Sequence, residues 1–180
     1  LVLLAAGPVF CAGGNPYGSS GPASFSAPAR SVLISVQGFV GLRGLGAPAV
    51  CAVHGPMIGG AAAIFLQTDL RVAEREASFQ HGNLSRGVCP IAGFSRILLA
   101  AVSAPFACTF YLTDQRLMAA SASALGMVQE VQAGVGSAKE AACRSASSTC
   151  LQHRVSRTTL LWRCTTDLQL VVGDAGAHVK

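Results

Sequence analysis

From Gly44 to Leu66 the chain carries no Asp, Glu, Lys or Arg, yet glycine or proline interrupts it at Gly46, Pro48, Gly55, Pro56, Gly59 and Gly60. An uncharged run of this length resembles a membrane span, which takes ~20 apolar residues. The interruptions, with His54 among them, divide it instead into a strand over Ala49–Val53, a glycine-proline turn, and an apolar core helix over Ala61–Leu66 opened by Gly59-Gly60. A strand apolar on both faces belongs to a sheet covered on both sides, and a helix apolar all round belongs in a core. No membrane span is expected.

The same grammar recurs along the chain. Residues 1–6 read as a second buried strand. With no initiator Met and no positive n-region, the opening reads as a strand whose start has been cut away rather than a signal peptide. The chain is therefore expected to be a fragment. Asp69–Ala73 and Ser78-Phe79 read as strands. Ser31–Arg43 reads as a helix with Ser31 as N-cap and Gly44 and Gly46 as stops. Further helices are expected at 94–101, 104–112 and 119–126, ahead of Met127-Val-Gln-Glu-Val131. Alternating strands and helices predict an α/β fold with a largely parallel sheet. Gly13–Pro28, dominated by Ser, Gly and Pro, reads as a mobile surface loop. After Ala133 the text becomes Ala- and Ser-rich, and Ser156–Val172 has the makings of an amphipathic helix carrying Leu160, Leu161, Leu168 and Val171.

Composition narrows function. Hydrophobic residues make up 51% and charged ones 12%, about half the ~25% charge usual in soluble proteins, which excludes an intrinsically disordered chain. The net charge of +5 sets thirteen Lys and Arg against eight Asp and Glu, so it reflects scarce acids rather than a dense basic patch, and no nucleic-acid partner is expected. Seven cysteines include no CxxC pair, and the CxxH at Cys150–His153 has no second pair at ligand spacing, so no metal site is expected. Cys11, Cys51 and Cys108 stand in apolar surroundings and read as small buried hydrophobes of a reducing compartment, the cytoplasm or an organellar matrix.

Two glycine turns follow two buried strands, Phe10-Cys-Ala-Gly-Gly14-Asn15 and His54-Gly-Pro-Met-Ile-Gly59-Gly60. Glycine at a strand end lets another group approach the backbone. Two N–H groups converging from such turns make an oxyanion hole.

The run Val2-Leu-Leu-Ala-Ala-Gly-Pro-Val-Phe-Cys-Ala-Gly-Gly-Asn15 resembles the "FCAGAD" segment of the enoyl-CoA hydratase/isomerase (crotonase) family. Ala47–Gly60, with Thr68–Ala73 and Ala77-Ser-Phe79, is similar to its "KPVIAAVNGPALGGG…CDLRIA…A.F". Arg86-Gly-Val-Cys-Pro90 resembles "lGliPg", and Leu112-Thr-Asp-Gln-Arg through Leu125-Gly-Met-Val128 resembles "LTGr.i.A.eA...GLV". The likeness is collinear over residues 1–132, taken as an acyl-thioester-binding core, and lapses over 133–180, taken as a helical C-terminal region. The family's opening strands and first helix, which contribute to its adenine-nucleotide site, have no counterpart in these residues.

The resemblance implies a crotonase-like ββα spiral core. It implies a thioester of coenzyme A or of a phosphopantetheine carrier protein as substrate, no separate cofactor, and assembly into a trimer or hexamer. By position, the oxyanion donors are the N–H groups of Gly14 and Gly60, with Ala12, Gly13 and Gly59 shaping the two turns. The family's two glutamates fall at Ala63 and Asn83. Alanine moves no proton and asparagine is no general base, so two-glutamate hydration is not expected. His81 and Tyr17 are the replacement candidates for proton transfer. Asn83 is kept as a substrate contact, Ser85 as a hydrogen-bond donor and Cys89 as a nucleophile candidate. His54 reads as structural, and Glu74 and Glu76 as an exposed turn. Three functions remain open: a decarboxylase of the polyketide type, a hydratase or isomerase using His81 or Tyr17, and a non-catalytic binding or assembly subunit.

Overall fold

The structure is a computed structural model describing residues 1–13, 37–38, 41–42, 47–82 and 93–151. Its elements run β1 (Val2–Leu3), β2 (Val50–Val53), β3 (Pro56–Ile58), α1 (Ala61–Leu66), β4 (Leu70–Glu74), β5 (Ser78–Gln80), α2 (Phe94–Ala101), α3 (Ala104–Leu112), β6 (Leu117–Met118), α4 (Ala119–Ala124), β7 (Glu130–Gln132) and α5 (Val135–Leu151). Residues 37–38 and 41–42, inside the expected helix over 31–43, are helical. The rest of that helix, most of the loop expected over 13–28 and the helix expected over 156–172 lie outside the described residues.

The strands build two sheets. One is parallel throughout, in the order β1-β2-β4-β7; the other has the order β3-β5-β6, with β3 and β5 parallel and β6 antiparallel. Each turn of chain places one strand in the first sheet and the next in the second, then a helix: β2, β3, α1, then β4, β5, α2. This is the expected α/β spiral. Gly55 makes the corner between β2 and β3 at φ +57, where its carbonyl accepts from the Ser78 N–H at 3.1 Å.

Side chains of β2 alternate between two cores, as the strand period of two requires. Cys51 and Val53 face a core with Phe65, Phe79, Phe94 and Phe110. Val50 and Ala52 face Ala138, Ala141, Ala142 and Ala146 of α5. Those alanines stand at i, i+3, i+4 and i+8 on one face of the helix, and their small size lets α5 lie close on the sheet.

Burial pushes the Cys51 thiol up to about 12 against the opposing charge of Arg71, which leaves it an inert hydrophobe. The expectation for its companions is corrected: Cys11 is half-buried and Cys108 is exposed. α3 is apolar on every face, so its pattern does not tell which side the core covers. Among the described residues, no helix is long and apolar enough to cross a membrane.

Candidate active site

Three stretches of chain end side by side at one edge of the second sheet. Residue 11 bridges to Met57, with the Cys11 N–H donating to the Pro56 carbonyl at 3.2 Å and the Ile58 N–H to the Cys11 carbonyl at 2.9 Å. This carries Gly13 against Ile58: a Cβ on Gly13 would lie 3.5 Å from Ile58 Cγ2, and its φ of +89 suits glycine. On the other side β3 pairs with β5 in register Ile58 with Gln80, and the Gly59 N–H donates to the Gln80 carbonyl at 3.1 Å. The order across the edge is therefore 11–13, then 56–60, then 78–82. Ligands of open α/β sheets bind outside such carboxyl ends of parallel strands.

Gly60 sits at the middle of this edge, half-buried, as the N-cap of α1 with φ −58. Its carbonyl accepts from the N–H groups of Ala63 and Ile64. Its own N–H donates to no acceptor among the described residues. Gly59, buried at φ +73, turns the chain from β3 into the helix. Ala12 is exposed beside Gly13. Ala63 is buried in the core cluster, where it contributes volume and no proton chemistry. Gly14, Tyr17, Asn83, Ser85 and Cys89 lie outside the described residues.

His81, the replacement candidate for proton transfer, follows β5 at the same edge and is buried there. The residue is 2% exposed. Its ring packs 4.5 Å from that of Phe94 and 4.8 Å, edge-on, from that of Tyr111, and Nδ1 has no hydrogen-bond partner among the described residues. Burial lowers its pKa below the ordinary 6.5, and the Asp114 carboxylate opposes only part of that shift. The ring is neutral at neutral pH. Stability linked to it is present above 6.5 and is lost on acidification, because below 6.5 the unfolded chain takes a proton that the folded one refuses. Urea denaturation between about pH 7 and about pH 5 should show His81→Gln losing less stability than the parent; equal losses would remove His81 from the titration.

Phe94 and Tyr111 also line a cavity of about 220 Å³ between α2 and α3, with Leu98, Ala107, Cys108 and Leu112. The lining suits an apolar group. His54, 4% exposed, donates from Nε2 to the Gly7 carbonyl at 2.9 Å and is structural, as expected.

Two carboxylates stand where the sequence did not place them. Glu74 is buried rather than in an exposed turn, accepting from the N–H groups of Glu76 at 2.9 Å and Gly55 at 3.4 Å. Asp114, half-buried, accepts at Oδ1 from the N–H of Gly82, the residue before Asn83. The available signal was that Asp114 stands at the glycine of "LTGr". Asp69, beyond the far end of α1, accepts from the Ala49 N–H at 2.8 Å and ties down the start of β2. Among the described residues, no cluster of His, Cys, Asp and Glu is fit to hold a metal ion.

A spiral of strand-strand-helix turns, with glycine corners collected at one edge of its second sheet, is the crotonase fold. DspI of Pseudomonas aeruginosa matches it with a TM-score of 0.81 at 26% identity, over 89% of this chain and 61% of that one. The enoyl-CoA hydratase of Bacillus anthracis matches at 0.84 with 22% identity, over 93% and 65%, a likeness of fold. The profile of the family described as Enoyl-CoA hydratase/isomerase covers residues 1–153, and the chain belongs to that family. Enoyl-CoA hydratase EchA19 of Mycobacterium tuberculosis is 30% identical over 137 residues, 72% of this chain and 50% of that protein. The chain thus spans about half the length of this curated relative.

Proposed function

We propose that the protein binds an acyl thioester, of coenzyme A or a carrier protein, along the edge formed by 11–13, 56–60 and 78–82, and stabilises its enolate with the N–H groups of Gly60 and Gly14. The observation that supports this reading most is the N–H of Gly60, which donates to no acceptor among the described residues, in a turn whose preceding residues meet Gly13 at Ile58 and Gln80 at Gly59. A backbone donor needs no particular side chain, so the departures from the family's motifs leave it intact. A thioester oxygen that gains negative charge is held by such fixed donors without reorganisation.

The absence of a proton-moving side chain at Ala63 favours decarboxylation over two-glutamate hydration. In a glutaconyl thioester the bond to the carboxylate carbon breaks, CO₂ leaves, and the electron pair passes into the enolate. The oxygen charge rests on the two N–H groups until carbon takes one proton from solvent water. Hydration, by contrast, needs a base to activate water and an acid to deliver a proton.

The test incubates the full chain with crotonyl-CoA and with glutaconyl-CoA, following water addition and CO₂ release separately. CO₂ release with little hydration is expected. Hydration at the faster rate would overturn the preference for decarboxylation, and tight binding with neither product would leave a binding subunit.

A further inference from the structure

Asp114 has the one positive φ, +52, found at a non-glycine position among the described residues. Left-handed backbone is strained for a residue with a Cβ, least so for Asn and Asp. The "LTGr" motif carries glycine here, and glycine would meet the turn without strain. Strain kept in place of an available glycine asks what the side chain does.

The contacts answer. The Asp114 carboxylate accepts from the Gly82 N–H, and its backbone carbonyl accepts from Gln80 Nε2 at 3.0 Å. One residue thereby grips both ends of the segment 80–82. Gln80 in turn accepts from the Gly59 N–H, so the grip passes through a continuous set of hydrogen bonds to the residue before Gly60. His81 lies inside the gripped segment, its ring against Phe94 and Tyr111. Asn83 follows it in the chain. β5 and β6 pair antiparallel, Phe79 opposite Leu117, which brings the turn at Asp114 to the end of β5 in the first place.

We propose that Asp114 is a positioning residue of the candidate site: its carboxylate holds the Gln80–Gly82 segment, and with it His81, against the Gly59 turn. This rests on the reading that the thioester binds at that edge, and it adds a carboxylate that acts through the backbone rather than on the substrate. A hydrogen bond to an ionised acceptor is the stronger kind, and a glycine at 114 removes it.

The test compares Asp114→Gly and Asp114→Asn with the parent, in the full chain. It reads amide hydrogen exchange at Gly82, crotonyl-CoA binding by calorimetry, and thermal melting. Losing a charge-assisted hydrogen bond predicts about tenfold faster exchange at Gly82 and about tenfold weaker binding in Asp114→Gly. Its melting temperature should be held up by the relaxed φ. Asp114→Asn keeps an acceptor oxygen and tolerates the left-handed turn, so exchange and binding should stay within about threefold of the parent. Unchanged Gly82 exchange in Asp114→Gly overturns the grip. Faster exchange with unchanged binding overturns its link to the site. An Asn variant as impaired as the Gly variant overturns a role based on the acceptor. If the parent itself binds no crotonyl-CoA, the thioester reading fails, while exchange at Gly82 still decides whether Asp114 holds the segment.

Discussion

Replacing Gly60 by proline is expected to lower thioester turnover by ~10²–10³, the usual effect of deleting one oxyanion donor, while Gly60→Ala leaves turnover within a few-fold. The pair is informative because the backbone at Gly60 suits both residues. Its φ of −58 lies where proline is locked, and a Cβ there meets nothing within 4 Å. Alanine retains the N–H and adds a methyl group in open space; proline adds a ring and removes the N–H. The first turn of a helix is also where proline is best tolerated, since its N–H has no helical partner to lose. Gly59, at φ +73, precedes it and is itself a glycine, which eases the restriction proline places on its neighbour. Melting curves and initial rates on the substrate turned over by the parent would decide the matter. A proline variant that folds and turns over at the parent's rate removes Gly60 from the mechanism. An alanine variant as slow as the proline one assigns the effect to bulk rather than to the donor.

Much of this edge is legible in the text of the chain because glycine punctuates it. β2, the Gly55 corner, the Gly59-Gly60 turn and α1 fall where the breaks in the uncharged run place them, since a buried strand cannot continue through a residue at positive φ. What escaped depended on partners distant in sequence. His81 looks like a loop residue beside Gly82, and its burial comes from Phe94 and Tyr111, which reach it only once α2 and α3 have packed. Glu74 looks exposed beside Arg75 and Glu76, but its carboxylate serves the N–H of Gly55 in the neighbouring turn of the spiral. Asp114 lies 32 residues from Gly82, and only the β5–β6 pairing joins them. Cys108 failed differently. Its helix is apolar on all sides, and periodicity is silent about which side meets the core. Local pattern located β2, β4, β5 and the glycine turns, but read β3 as part of a turn and missed β6; the electrostatic partners at the site came from tertiary pairing.

The same alanine that Gly60 tolerates should be damaging five residues earlier. Gly55→Ala is expected to cost about 2–4 kcal/mol, in the range of strain at a special φ combined with overpacking, and to lower the melting temperature by roughly 5–15 °C. Gly55 has φ +57, and a Cβ there would stand 2.6 Å from the Pro8 carbonyl oxygen and 3.4 Å from Val9 Cα. Both are backbone atoms, so no side chain can swing aside; the segment 7–9 must move. That segment is held to the same corner by the hydrogen bond from His54 Nε2 to the Gly7 carbonyl. It leads directly into the bridge between Cys11 and Met57 that sets Gly13 beside Ile58. Displacing it should therefore weaken crotonyl-CoA binding even at temperatures where the variant is fully folded, by separating the turn at 12–13 from the turn at 59–60. Thermal melting, followed by calorimetric titration well below the transition, separates the two effects. A variant that melts like the parent would mean that the 7–9 segment yields freely, and the edge would then owe nothing to the Gly55 corner. A destabilised variant that still binds at full strength would place the thioester away from the 11–13 stretch.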